Sequence, residues 1–359
     1  MSDRKTVLVT GGAGFIGCAI SAALIEAFDE VVAVDSLHPQ VHAVQDRPAA
    51  LDVGVRFVRG DVTDPDMWDE LLADLRPEVV IHLAAETGTG QSLAEGSRHA
   101  NVNVVGTTQL LDALNRHGVL PRRIVLTSSR AVYGEGGWRA TDGSGEITYP
   151  GQRSNAMLQR GEWDFPGAEP IAMSADVVHP APASVYAATK LTQEHLLNVW
   201  CAALDVEPFI LRLQNVYGPG QSLSNPYTGI MSLFCRMAKE GRSIPLYEDG
   251  AVRRDFILID DVARGVVAAA LASTAPSTPI DIGSGEMQTI ETAASLIAAF
   301  YGAPAPHVTG QFRNGDVRHA WADVTRAQAL LEWEPEYSLS AGIDRLATWI
   351  DAQAIVPVA

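Results

Sequence analysis

An apolar run, Thr6-Val-Leu-Val-Thr10, leads directly into Gly11-Gly-Ala-Gly14-Phe15-Ile16-Gly17, and helical spacing begins at Phe15. Few local patterns constrain a fold so tightly. A buried strand must end, turn into a helix within a few residues, and let that helix lie close against the sheet. Glycines at 11, 14 and 17 meet those demands: a tight turn, a close approach of a ligand to the backbone, and close helix–strand packing. The first turn of such a helix carries N–H groups with no partner inside the helix, and these favour an anion such as a pyrophosphate. Gly11, Gly14, Phe15, Ile16 and Gly17 are therefore candidate cofactor-binding residues.

The strand–helix rhythm continues beyond this turn. Residues 31–35, 56–60, 79–84 and 123–128 read as strands. Residues 15–28, 65–75 and 102–118 read as helices, with Asp64-Pro65 as cap and first-turn proline. Alternation of this kind predicts a parallel sheet covered on both faces. From 134 to 182 the rhythm breaks into Gly-, Pro- and Trp-rich chain, with one helical hint at 155–162. This excursion reads as a lid over the active-site side of the sheet or as an elaborated surface loop. A helix at 184–203 and a strand at 208–213 follow. Beyond Tyr217-Gly-Pro-Gly220, strands at 254–259 and 280–282 mix with helices at 228–241, 261–272, 290–301, 325–331 and 340–352. The expected division is a dinucleotide-binding domain over 1–216, with 255–285 returning to it, and a smaller mixed α/β substrate domain over 217–359.

Asp35 closes the second strand. A carboxylate there accepts both adenine-ribose hydroxyls and repels a 2′-phosphate, and no arginine follows in Ser36-Leu37-His38. The expected cofactor is NAD. Asp61 and Val62, ending the third strand, either reach the adenine or simply turn the chain. Tyr186-Ala-Ala-Thr-Lys190 puts a phenol and an ammonium one helical turn apart on the same face. A phenol with a reference pKa near 10 is a poor base at neutral pH. A neighbouring cation favours its phenolate by roughly 1–3 units.

Bulk properties exclude several classes. A content of 47% hydrophobic and 19% charged residues describes a globular chain, and a net charge of −17 opposes a general nucleic-acid or anionic-membrane surface. No apolar run approaches the roughly 20 residues that span a bilayer, and no signal-peptide pattern is visible. Cys18, Cys201 and Cys235 are widely spaced with no CxxC, which predicts a reducing, cytoplasmic setting and no metal site.

His82-Leu-Ala-Ala85, Asn103-Val-Val-Gly-Thr107, Ser128-Ser-Arg-Ala-Val-Tyr-Gly134, Tyr186-x-x-x-Lys190 and Gln214-Asn-Val-Tyr-Gly218 follow the glycine loop in order. Together they resemble the extended short-chain dehydrogenase/reductase family, in particular its nucleotide-sugar epimerases and dehydratases, across essentially the whole chain. The resemblance implies a Rossmann-type doubly wound parallel sheet. It also implies Ser129, Tyr186 and Lys190 as catalytic residues, and Leu83, Ala84, Ala85, Asn103 and Thr127 among the NAD contacts. It places a nucleotide-diphosphate sugar (dTDP or UDP) against Glu86, Thr87, Ser129, Asn215, Tyr247, Arg254 and Arg313, with 224–227 beside the base. Guanidinium forks suit diphosphate oxygens.

Family dehydratases carry Asp-Glu directly after the catalytic hydroxyl residue; Arg130-Ala131 stand there in this chain and cannot move those protons. Epimerisation at C4 through a transient 4-keto sugar is therefore the expected reaction. The runs 212–229 and 86–92 resemble bacterial enzymes acting on dTDP-6-deoxyhexoses. A 4-ketoreductase, a UDP-glucose/UDP-galactose-type 4-epimerase and a non-catalytic NAD-binding regulator are the alternatives. The family commonly dimerises through the helices at 102–118 and 184–203. Their apolar stripes (Val104, Leu110, Leu111, Leu114; Leu191, Leu196, Leu197, Trp200) suit a homodimer or the subunit's own core.

Overall fold

The computed structural model describes residues 5–223 and 229–353. Seven strands form its central sheet: β1 (Thr6–Thr10), β2 (Glu30–Asp35), β3 (Arg56–Arg59), β4 (Val79–His82), β5 (Arg123–Ser129), β6 (Glu207–Leu213) and β7 (Ile280–Ile282). Their order is β7-β6-β5-β4-β1-β2-β3, every neighbour parallel. The strand order reverses at β1, and a crevice opens at such a switch point outside the C-terminal strand ends.

Side-chain alternation explains why both faces must be covered. In β1, Val7 and Val9 join one core, and Leu8 joins the other. Helices α1 (Phe15–Ala27) and α5 (Ile259–Leu271) cover the first face through Ile20, Leu24, Val262 and Val266. Helices α2 (Pro65–Leu72), α3 (Gly106–Arg116) and α4 (Val185–Leu204) cover the second through Trp68, Leu72, Leu110, Leu114 and Leu197. Asp64 caps α2 by accepting the Asp66 N–H at 3.0 Å, a bond type that contributes about 1 kcal/mol. The apolar stripes therefore have an intrasubunit role: Leu110, Leu111, Leu114 and Leu197 are buried in this core. Val105 and Val199 are left exposed nearby.

Helices Ile230–Lys239, Ile290–Tyr301 and Leu339–Ala352 build the smaller lobe around Phe234, Ile297 and Leu346. Residues 255–285 return to the sheet through α5 and β7. A second return is not visible in the sequence pattern: Ala322, Val324, Ala327, Leu331 and Trp333 also pack on the sheet core. Trp333 Nε1 donates to the Asp261 carbonyl at 2.9 Å.

The expected strand at 254–259 is split into Arg253–Arg254 and Phe256–Leu258. Between them the fully buried Asp255 accepts N–H groups of Ser284 (2.7 Å), Gly285 (3.1 Å) and Ala322 (3.2 Å). That carboxylate draws three segments together where a continuous strand would have passed.

The excursion forms a three-stranded antiparallel sheet, with Trp138–Ala140 between Ile147–Thr148 and Ala168–Pro170. Buried charges fasten it to the smaller lobe. Arg153 donates to both Glu248 oxygens (2.9 Å each), to the Asp316 carbonyl (2.9 Å) and to Glu135 (3.3 Å). Arg318 reaches Glu248 (2.9 Å) and Asp249 (2.7 and 2.8 Å), and its backbone N–H reaches Glu135 (2.9 Å). These buried ion pairs seat the excursion against the smaller lobe.

Candidate active site

At the switch point lies a cavity of about 480 Å³. The glycine turn, Asp35, Asp61 and Val62 form one part of its wall. Leu83–Thr87 and Thr127–Ala131 form another, with Tyr186, Lys190, Gln214 and Asn215 beyond.

Gly11 has φ +65, and a Cβ there would stand 2.7 Å from the Ala84 backbone nitrogen. Any side chain would push the turn off the end of β4. A Cβ on Gly17 would stand 2.5 Å from the Gly12 carbonyl oxygen, so α1 seats against its own turn only as glycine. No side chain caps α1 at Gly14, which leaves its first N–H groups for an anion. Asp35 accepts the Ala13 N–H (3.1 Å) and the Leu37 N–H (2.8 Å), which fixes its carboxylate at the cavity wall. Asp61 turns the chain by accepting the Thr63 N–H at 2.9 Å and also borders the cavity. This donor set fits a dinucleotide: a side-chain-free cradle for pyrophosphate and a carboxylate for ribose hydroxyls.

Behind the cavity a buried network sets the position of α4. His82 Nδ1 lies 2.7 Å from the Thr10 hydroxyl, and its Nε2 lies 2.9 Å from the Thr107 hydroxyl. Thr107 gives its one proton to the Asn103 carbonyl (2.6 Å). His82 must therefore donate from Nε2 and accept at Nδ1. Burial, reinforced by the Lys190 charge, pushes His82 down to about 3, so the ring is neutral. Asn103, in the π-helical segment Asn101–Val105, is fully buried and does not border the cavity. Its carboxamide accepts the Glu86 N–H (2.7 Å) and donates to the Glu86 carbonyl (3.0 Å) and Thr189 hydroxyl (2.9 Å). Placed in the sequence reading among cofactor contacts, it instead joins the loop after β4 to the turn of α4 that bears Tyr186.

Helix α4 starts on Ser184, whose hydroxyl accepts the Ala187 N–H at 3.1 Å. Its next turns bring Tyr186 and Lys190 onto the cavity wall beside Ser129. The His99 and Tyr186 rings meet at a steep angle of 75°, 6.4 Å between centroids. Burial pushes the Tyr186 phenol up, while the Ser129 hydroxyl and the Arg130 guanidinium pull it down. Lys190 is 2% exposed and pushed down to about 7 by burial, against which Glu194 acts. Glu194 is itself gripped by Arg212 at 3.0 and 2.6 Å.

Asn215 borders the cavity with its side-chain oxygen buried and unpartnered among the described residues, as are both amide atoms of Gln214. Arg254 is held by the carbonyls of Arg253 (2.7 Å), Arg318 (3.1 Å) and Val317 (2.7 Å). Burial and the like charge of Arg130 push its guanidinium below the usual arginine range. Arg313 stacks on Tyr247 at 5.0 Å from the ring centroid. Arg254, Arg313 and Tyr247 do not line this cavity, and residues 224–227 lie outside the described residues. Glu86 pairs with Arg98 at 2.8 Å. Sequence reasoning missed Gln40, which lines the cavity and exchanges two amide bonds of 2.9 and 3.0 Å with Gln91. Their separation of 51 residues carries no motif.

Comparison with known proteins agrees with this geometry. The model of the NAD dependent epimerase/dehydratase family matches residues 7–283. A dTDP-L-rhamnose 4-epimerase of Burkholderia thailandensis is 56% identical, over 97% of this chain and 95% of that protein. UDP-glucose 4-epimerase of Thermotoga maritima, solved with UDP-glucose, superposes with a TM-score of 0.78 at 26% identity, covering 96% of this chain and 98% of that one. UDP-glucuronic acid 4-epimerase of Bacillus cereus, solved with UDP-glucuronic acid and NAD, gives 0.78 at 28% identity, covering 96% and 99%. The chain belongs to the NAD dependent epimerase/dehydratase family, and its cofactor is NAD.

Proposed function

We propose that this protein is a 4-epimerase of a dTDP-linked 6-deoxyhexose. It would interconvert dTDP-L-rhamnose and its C4 epimer, dTDP-6-deoxy-L-talose. One observation carries the reaction type: Ser129, Tyr186 and Lys190 share a cavity wall with Arg130-Ala131, where a dehydratase needs two acids. The 56% identity to a dTDP-L-rhamnose 4-epimerase supports the sugar and the base.

The residues divide the work as follows. NAD bound against the glycine turn and Asp35 supplies a reversible hydride acceptor. Tyr186 removes the proton of the C4 hydroxyl as that carbon is oxidised, and returns it when the carbon is reduced. Ser129 holds the reacting oxygen by a hydrogen bond. Asn215 and Gln214 offer buried, unused polar atoms at the substrate end of the wall. Arg254 and Arg313 carry the guanidinium forks suited to a diphosphate. Gln40, on the cavity wall with Asp35, is held there by two amide bonds with Gln91, which favours a cofactor retained between turnovers.

We also infer a homodimer, because exposed Val105 and Val199 lie by the two helices that most often form this contact. A cytoplasmic location is supported by three free cysteines. The product class suits a sugar donor for cell-surface polysaccharide. The test is incubation of purified protein with dTDP-L-rhamnose and, separately, UDP-glucose, without added cofactor, followed by NMR. Conversion of the dTDP sugar alone is expected. Conversion of UDP-glucose alone would replace the proposed substrate, and absence of any conversion would defeat the epimerase reading.

A further inference from the structure

The chain between β2 and β3 is long and irregular, and its first part belongs to the site. Residues 36–55 hold no helix or strand, and Ser36, His38, Gln40, Val41 and His42 line the cavity with Asp35. Loops beyond roughly 12–15 residues without structure of their own are uncommon and mostly functional. This one starts under strain. Leu37 has φ +54, a left-handed conformation that disfavours any residue but glycine. Its buried side chain and its N–H bond to Asp35 (2.8 Å) hold it there.

Three residues further on, the loop is fastened to the opposite wall. Arg98, on the short helix Gly96–Ala100, donates to Gln40 (3.0 Å), Glu86 (2.8 Å) and Glu95 (2.9 Å). Gln91, on the helix Thr89–Ala94, exchanges its amide bonds with Gln40 and also donates to Glu95 (3.1 Å). Glu86 is a firm anchor: it lines the cavity, and Asn103 bonds its backbone in both directions and reaches Thr189 on α4. Gln40 follows β2 and Glu86 follows β4, the two strands that flank β1 and its glycine turn. One guanidinium thus joins the loops on either side of the pyrophosphate cradle.

We propose that Arg98 is a positioning residue that retains the dinucleotide, as a latch between the loop after β2 and the loop after β4. Arg98 and Glu95 have side chains 29% and 40% exposed. Ion pairs so exposed add little to the stability of a fold, and this one can open without disturbing either sheet core. Its effect is local: it holds a strained loop against the wall. It also neutralises Glu86, whose bare carboxylate on the cavity wall would repel the diphosphate of a bound ligand. Arginine suits the task because a planar fork can serve several acceptors at once, which a lysine ammonium does less well.

The epimerase reading supplies the need for such a latch, since hydride taken from a sugar must return to that same sugar. The latch itself is tested apart from turnover. Holoenzyme loaded with labelled NAD is mixed with excess unlabelled NAD, and loss of label is followed. The proteins are wild type, Arg98→Met, Arg98→Lys and Arg116→Met, whose exposed ion pair with Asp69 lies away from the cavity. Arg98→Met is expected to exchange NAD about tenfold faster, Arg98→Lys at an intermediate rate and Arg116→Met like wild type. Urea midpoints of the two methionine variants should agree closely. Diluted without cofactor, Arg98→Met should lose conversion of dTDP-L-rhamnose, and excess NAD should restore it. Exchange by Arg98→Met within about twofold of wild type would overturn the proposal. So would equal acceleration in Arg116→Met, or lost activity that NAD does not restore. Faster exchange in Arg98→Met, with no protein converting any sugar, would sustain the latch and defeat the epimerase reading.

Discussion

Arg153→Met removes the centre of the buried ionic bridge between the excursion and the smaller lobe. Arg153 and Glu135 have side chains 1% and 2% exposed, and Glu248 is 4% exposed. Methionine restores the volume but leaves Glu135 with one backbone donor and Glu248 with Arg318 alone. Breaking a buried pair from one side typically costs about 3–5 kcal/mol. The loss should depend on pH. Burial already raises Glu135 above the ordinary glutamate value, with Arg153 among the groups opposing that rise. Removing Arg153 raises it further. Where a carboxyl titrates higher in the folded than in the unfolded state, the folded state binds more protons, so stability falls as pH rises through that window. Urea unfolding should show a larger loss at about pH 8 than at about pH 5.5, the direction set by the raised Glu135. Limited proteolysis should then cut first within 134–182. A loss under about 1 kcal/mol, or the same loss at both pH values, would refute the account of the bridge.

Other consequences follow from single residues. Tyr186→Phe should lower kcat by about 10²–10⁴-fold with little change in NAD content, measured by steady-state kinetics and by cofactor release on denaturation. Gly11→Ala should yield protein largely without NAD, because its Cβ would meet Ala84 backbone at 2.7 Å in a left-handed conformation. Gln40→Ala with Gln91→Ala should accelerate exchange of bound NAD against labelled NAD by about tenfold, reflecting two lost rim hydrogen bonds of roughly 1 kcal/mol each. Lys190→Met should stabilise the fold, and more so at acid than at alkaline pH. The buried ammonium is pushed down to about 7. The unfolded state therefore binds more protons between there and its ordinary value, wild-type stability rises with pH across that range, and the cost that methionine relieves is largest below it.

The parallel sheet and the cofactor end were legible because they rest on local signals. A glycine turn between strand and helix, alternating side chains in β1, and a carboxylate ending β2 all act within a few residues. The Tyr186–Lys190 spacing was equally local, and it placed both groups on one wall. What spacing could not tell was what packs behind that wall. Glu194, whose charge opposes the effect of burial on Lys190, is itself held by Arg212 on a separate strand. The bridge of Glu135, Arg153, Glu248 and Arg318 joins residues up to 183 apart in the chain, and ion pairs at such separations leave no periodicity. Strands of two or three residues in the excursion are too short for alternation to register. The return of 322–333 to the sheet core was hidden for another reason: an apolar helix face does not say which of two cores it joins.

The central claim is that one carbon of the sugar is oxidised and then reduced inside a closed site. Its most direct test uses dTDP-L-rhamnose carrying deuterium at C4, with purified protein and no added cofactor, in ordinary water. The account predicts a C4-epimerised product that keeps its deuterium, with no NADH accumulating in solution. Product that has lost the label to solvent, or product formed only when NADH or NADPH is added, would contradict it.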